Sequence, residues 1–444
     1  MKIQLSDHFT YKKLLRFTLP SIVMMVFTSV YGMVDGFFVS NFAGEMEFKA
    51  VNFIMPVLMI LGAIGFMLGA GGSALISKTL GEGDKERANG IFSFTVYVSI
   101  ALGVIIAALG IIFLEDIANW LGAGDMLENC LIYGTIILFA LPFFMLQMEF
   151  QSLFVTAEKP QIGLFVTVGA GVTNMVLDAL FVAVFKWGIE GAAAATAISQ
   201  VVGGLFPIIY FSRKNNTSLL KLNKPICDFK ALLKITANGS SELMTNISLS
   251  VINILFNYQL LIYAGKEGDG IAANGVLMYV GFMFISIFIG YAIGVSPIIG
   301  YHYGAKNHSE LKGLLKKSIV IILFMSIAMF VLGELLAVPM SQAYVGYSEN
   351  ILKMTIRGFR FYSFSFLIVG FNIFGSAFFT ALNNGLVSAI LSFLRLFFFQ
   401  AVTVLVLPLF LDLDGIWLST VASELISIVV TVSFIFALKK KYNY

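Results

Sequence analysis

Twelve long apolar stretches alternate along this chain with short polar segments, at roughly 15–38, 50–74, 91–113, 127–152, 161–184, 189–211, 235–262, 271–298, 318–338, 358–380, 386–409 and 415–438. Each is about 20 residues or longer, enough to cross the roughly 30 Å hydrocarbon layer of a bilayer as a helix. Lipid leaves no water to satisfy backbone groups, so continuous apolar runs of this length must be helical. The pattern predicts an all-α membrane protein with twelve transmembrane helices.

The pattern is also written twice. Leu14-Leu15-Arg16-Phe17-Thr18-Leu19-Pro20 returns as Leu232-Leu233-Lys234-Ile235-Thr236-Ala237-Asn238, Gly71-Gly72-Ser73 through Gly81 as Gly294-Val295-Ser296 through Gly304, and Ile189-Glu190-Gly191 as Leu413-Asp414-Gly415. The drift between these registers is accounted for by a few residues inserted near Tyr263–Gly270. Two lobes of six helices are expected, 1–211 and 232–444, joined by a polar linker at 212–231 that contains Pro225. An even number of spans per copy makes both copies enter from the same side, so their pseudo-two-fold axis runs along the membrane normal.

Composition agrees with this reading and narrows it. At 59% hydrophobic and 12% charged residues the chain has too little polar surface for a soluble domain. Only Lys49, Lys186, Lys266, Lys353, Arg357 and Arg360 fall on one side of the predicted spans; the other basic residues, Arg395 apart, fall on the opposite side. The positive-inside rule then places both termini in the cytoplasm, with the chain in the cell membrane. A net charge of +3, explained by this topology, carries no nucleic-acid signal. Cys130 and Cys227 lie in different halves and point to neither a disulfide framework nor a metal site. The first span is too long, and lacks the small-residue site, for a cleavable signal peptide.

Polar residues inside the spans carry the chemistry. Asp35 lies in the outer part of span 1, fifteen residues after Pro20, and Asn174 and Asp178 share one face of span 5 at a spacing of four. Thr196 follows the small run Gly191–Ala195 of span 6. The second copy answers Asp35 with Asn253 and Asp178 with Val402, so the acids belong to the first lobe alone. Such carboxylates serve as proton sites or as ligands for a hard cation. Glu149, Glu242 and Glu424 also lie in spans, Gln200 is the repeat partner of Glu424, and Arg395 has the choice of pairing with a carboxylate or snorkelling.

At these residues the chain resembles the multidrug and toxin extrusion (MATE) family over its whole length, most specifically at Pro20 with Asp35, the Asn174/Asp178 pair, Thr196, and Leu80-Gly81-Glu82-Gly83-Asp84 after span 2. The resemblance implies a two-lobe antiporter that expels amphipathic, often cationic compounds in exchange for H+ or Na+, without another cofactor and as a monomer. It implies a coupling-ion site, a candidate for Na+, at Asp35, Asn174, Asp178 and Thr196, and a hinge at Pro20. Tyr31, Glu149, Glu242 and Asn246 are candidates for lining the substrate cavity. The chain departs from the branch that keeps acids in spans 7 and 10: Asn246 stands where the span 7 acid is expected, and Asn372 is the main polar residue of span 10.

Other readings have less in their favour. A lipid-linked precursor flippase of the same superfamily would want a strongly cationic cavity, and Arg395 alone opposes the acids. The basic loop signature of major facilitator transporters is absent from Lys78–Arg87, and no span carries an enzyme motif. Gly65/Gly69 and Gly290/Gly294 read as helix-packing motifs.

Overall fold

The computed structural model describes residues 3–213, 217–264 and 269–444. Lys266, counted above for topology, lies outside them. The helices are α1 (Tyr11–Phe38), α2 (Glu45–Gly81), α3 (Lys85–Leu121), α4 (Leu127–Thr156), α5 (Pro160–Asp178), α6 (Gly188–Ser212), α7 (Phe229–Tyr263), α8 (Asp269–Gly304), α9 (His308–Val345), α10 (Glu349–Ser363), α11 (Phe366–Ala381), α12 (Gly385–Phe393), α13 (Gln400–Val406) and α14 (Pro408–Tyr442). A π-helical turn, Leu394–Phe399, joins α12 to α13. Eleven helical stretches are long and apolar enough to cross a membrane, and the pair α10 and α11, bent by 51°, makes a twelfth. Span 10 is therefore broken where the sequence predicts one continuous run. The ladder tightens at the bend: Ser363 Oγ donates to Arg360 O at 2.8 Å, and the N–H groups of Phe364 and Ser365 reach back only three residues.

The duplication is visible as an exchange of contacts. A Cβ added to Gly81 would fall 2.0 Å from Tyr301 O, and one on Gly304 would fall 2.0 Å from Lys78 O. In the repeat register Gly81 pairs with Gly304 and Lys78 with Tyr301, so the two contacts are images of each other and the pseudo-two-fold axis passes between α2 and α8. The flanking contacts obey it as well. Gly71 packs on Ile235 and Gly239 on Met67 between α2 and α7, while Gly294 packs on Thr18 and Gly290 on Ser21 and Ile22 between α8 and α1. Small residues here let backbones of the two lobes approach to near contact. In each lobe the turn after the fourth span holds a residue with positive φ, Glu158 at 58° and Asn383 at 56°. That equivalence sets Asp178 opposite Thr403, one residue beyond the Val402 of the sequence register, and still an acid without a counterpart.

These glycine contacts all lie in the half of the bundle nearer the chain termini. Residues before α1 close that face further. Leu5 N donates to Glu158 Oε1 at 2.9 Å in the first lobe, while Phe9 N donates to Glu310 Oε1 at 3.0 Å in the second. Leu5 and Phe9 are fully buried, and His8 Nδ1 lies 2.6 Å from Glu310 Oε2. Toward the opposite face, Gly32, Gly36 and Gly275 meet nothing within 4 Å. The lobes are thus packed at one end and looser at the other.

Candidate functional site

Asp35 sits in the last third of α1, half-buried, and a π-helical turn, Val39–Ala43, follows that helix directly. Asp178 ends α5, and a second π turn, Ala179–Val184, starts at the next residue. The sequence carries no signal for these turns. π insertions rotate and unwind a helix locally and concentrate at functional sites; here each adjoins an intramembrane acid.

The four residues expected to share a site meet. Thr196 Oγ1 donates to Asp35 Oδ1 at 3.4 Å, and Asn174 Nδ2 donates to Thr196 Oγ1 at 3.4 Å. Both bonds are at the long limit of hydrogen-bond geometry, which leaves the oxygens short of satisfaction. Asp178 is fully buried, and neither its carboxylate oxygens nor Asn174 Oδ1 accept a hydrogen bond from a described residue. Asp178 follows Asn174 by one turn on the same face of α5, which places its carboxyl in the neighbourhood of Asp35. No ion pair to either acid occurs among the described residues. Two neighbouring intramembrane carboxylates without a basic partner favour uptake of a proton or a cation. The donor set of carboxylate, amide and hydroxyl oxygens suits a hard cation. Among the described residues no three His, Cys, Asp or Glu side chains gather as a transition-metal site would require.

Tyr133 adds a buried polar group that was not foreseen. It comes from α4, which packs against α5 and α6, and is 1% exposed. A tyrosine in an apolar run gives no sequence signal of its own, since only the packing of α4 on α5 and α6 aims it inward.

The cavity candidates separate. Tyr31 packs at a ring distance of 6.1 Å on Phe27, and both rings press against Gly171 of α5. Glu149 is fully buried, near Ser99 of α3, and its oxygens accept no bond meeting hydrogen-bond geometry, so in this conformation it lies within the packing of the first lobe and lines no open surface. Glu242 and Asn246 are half-buried on α7; Asn246 Nδ2 donates to Glu242 O at 2.9 Å, and the cation near Glu242 is Arg395. Arg395, left open by the sequence, is paired: its Nε lies 2.9 Å from Glu424 Oε1. Glu424 Oε2 in turn accepts from Asn372 Nδ2 at 2.6 Å, and Thr431 Oγ1 donates to Asn372 Oδ1 at 2.9 Å. Each lobe therefore has a polar centre, acidic in the first and internally neutralised in the second.

Pro20 lies inside α1, which runs unbroken from Tyr11 to Phe38, with Gly290 of α8 packed on the adjoining Ser21 and Ile22. Proline there removes a donor from the helix ladder without breaking it. Pro20→Ala is expected to restore that bond and slow turnover several-fold while changing substrate affinity less, checked by comparing transport rate with equilibrium binding. Equal losses in both would indicate a packing role instead.

The same architecture occurs in solved proteins. A "multidrug resistance MATE family transporter of the MOP superfamily" in an outward-facing conformation superposes with a TM-score of 0.92 at 24% identity, covering 99% of each chain. A MATE protein crystallised with MaL6 gives 0.91 at 24% identity over 98% of each chain. Among curated relatives, the multidrug export protein MepA of Staphylococcus saprophyticus is 27% identical over 366 residues, covering 81% of this chain and 80% of that protein. MepA of Staphylococcus aureus strain NCTC 8325 is 28% identical over 372 residues, with the same coverage. The MatE family profile matches twice, at residues 20–180 and 242–406, once in each copy of the repeat. Matched over most of its length and in both halves, the chain belongs to the MatE family.

Proposed function

We propose that this protein is a cation-coupled antiporter that exports amphipathic, often cationic compounds from the cytoplasm, with H+ or Na+ as the coupling ion. The observation that carries the reading is the pair of intramembrane acids, half-buried Asp35 and fully buried Asp178, with the Asp178 carboxylate and Asn174 amide oxygens left unsatisfied and no basic partner among the described residues. The multidrug export function of the MepA relatives supports the substrate class. Asp35, Asn174, Asp178 and Thr196 hold the ion, and the two six-helix lobes, divided at the 212–231 linker, rock about their contacts.

Both termini face the cytoplasm in this reading, because the basic residues cluster at that end. The packed face is then cytoplasmic and the loose one external, so the ion site opens outward, where H+ or Na+ enters and substrate leaves. The energetics suffice: one charge crossing about 150 mV supplies about 3.5 kcal/mol, which supports a gradient of about 300-fold for a neutral substrate. A monovalent cation exchanged one for one would cancel the electrical part and leave the chemical gradient. The flippase reading is disfavoured because Arg395 is a single base, paired on one edge with Glu424, and no cluster of bases for a pyrophosphate surrounds it among the described residues.

The decisive assay is uptake of a lipophilic cationic dye into proteoliposomes under an imposed pH gradient or an imposed Na+ gradient at fixed pH. One of the two gradients is expected to drive accumulation at least about tenfold over empty vesicles. Accumulation under neither, together with tight binding of a polyprenyl pyrophosphate, would replace antiport with lipid flipping.

A further inference from the structure

The second-lobe cluster around Arg395 does not belong to the ion site, and its geometry is that of a held but unsaturated receptor. Arg395 lies in the π turn Leu394–Phe399, the third such turn of the chain and again one at a charged residue within a span. Its guanidinium is fixed on one edge only. Nε meets Glu424 Oε1 at 2.9 Å, and Glu424 is itself held by Asn372, which is held by Thr431. Ser423 Oγ donates to Arg395 O at 3.0 Å and pins the backbone of the turn. The two terminal nitrogens make no hydrogen bond to any described residue, yet the side chain is only 11% exposed. A guanidinium carries five donors in a planar fork, and its two terminal amines present the edge that matches a carboxylate in a two-point contact.

The π turn that carries Arg395 packs against α14, which supplies Glu424, and against α7, which carries Glu242; α10, which carries Tyr362, packs on α14 in turn. Glu242 makes no ion pair with Arg395 among the described residues. The break between α10 and α11 falls next to Tyr362, at Phe364 and Ser365, so this side of the second lobe is built from interrupted helices, as substrate sites of transporters commonly are.

We infer that Arg395 is an anion-recognising subsite of the second lobe, which grips the carboxylate of a substrate that carries one. The inference rests on the export reading above and names a specificity-determining residue for it. Glu242, carried by the neighbouring α7, is the internal carboxylate that competes for the same edge. Cationic substrates without a carboxylate gain nothing from Arg395, so the residue sets specificity and takes no part in ion coupling.

The test uses purified, membrane-reconstituted protein and two probes that differ in one group: a cationic xanthene dye with a free carboxylate, and its ethyl ester. Because Arg395→Gln alone strands the buried Glu424 charge, the variant is R395Q/E424Q, which removes both charges and leaves an amide for Asn372; buried pairs exchanged this way are often tolerated. Charge-assisted two-point contacts are worth about tenfold or more in affinity. R395Q/E424Q is expected to weaken binding of the acid about tenfold while changing the ester less than about twofold, and Glu242→Gln is expected to tighten the acid selectively. Arg395-dependent binding of the acid stands even where neither dye is exported, an outcome that would count against the export reading alone. Equal weakening of both dyes, an unchanged affinity for the acid, or no binding of the acid by the unaltered protein would each overturn the inference.

Discussion

Asp35→Asn and Asp178→Asn are each expected to reduce ion-coupled efflux to the level of protein-free vesicles, at least about 100-fold below the unaltered chain, while the protein still inserts. In the proposed site the two carboxyls have Thr196 and Asn174 as neighbours and no ion pair to a base among the described residues. An amide keeps the shape but neither takes up and releases a proton nor supplies the negative oxygen that a hard cation needs. Folding should not suffer with activity. Removing one of two like charges in a low-dielectric interior relieves repulsion, so the melting temperature of either variant is expected to stay level or rise. A variant that transports at the original rate under the same gradient would take its residue out of the mechanism. One that loses activity only by failing to fold would show the pair to be structural.

What could be read from the sequence depended on whether the signal was local. Charged residues interrupting apolar runs stand out, and the spacing of Asn174 and Asp178 forces them onto one helical face; their grouping with Asp35 and Thr196 came from the resemblance to the MATE family. The repeat was legible because small residues recur at its contacts, and Gly81 and Gly304 turn out to exchange partners across the axis. Features that depend on rotation between helices were not legible. The Arg395–Glu424 pair joins spans 11 and 12, Tyr133 of span 4 is buried inward, and both outcomes depend on how far each helix turns about its axis. The π turns and the bend of span 10 have no local signature: at the bend Ser363 Oγ bonds the Arg360 carbonyl, in a stretch whose hydropathy is that of an ordinary span. Register drift of one residue, Thr403 for Val402 opposite Asp178, has the same origin, since similarity between apolar helices fixes a face more firmly than a position.

The closed face offers the second large effect. Gly239 of α7 and Gly71 of α2 hold the lobes together by backbone contact, for a Cβ on either would fall 1.9 Å from a carbonyl oxygen of the opposing helix, Met67 O or Ile235 O. No rotamer relieves such an overlap, because the obstacle is main chain; the helices must separate. Overpacking of this kind costs about 1–3 kcal/mol, and the cost falls only on the conformer in which this face is shut. If the lobes rock, Gly239→Ala should therefore shift the balance toward the conformer open at the chain termini by about 5- to 150-fold. The readout is reactivity of single cysteines placed on the contact surfaces of α2 and α7, expected to rise near Gly71 and to fall on the faces that close at the other end. The same substitution at Gly36, which meets nothing within 4 Å, is the control and should leave the pattern unaltered. Unchanged labelling in Gly239→Ala would mean that the α2–α7 contact travels with the lobes as a fixed unit, and the moving interface would then have to be sought at α1 and α8.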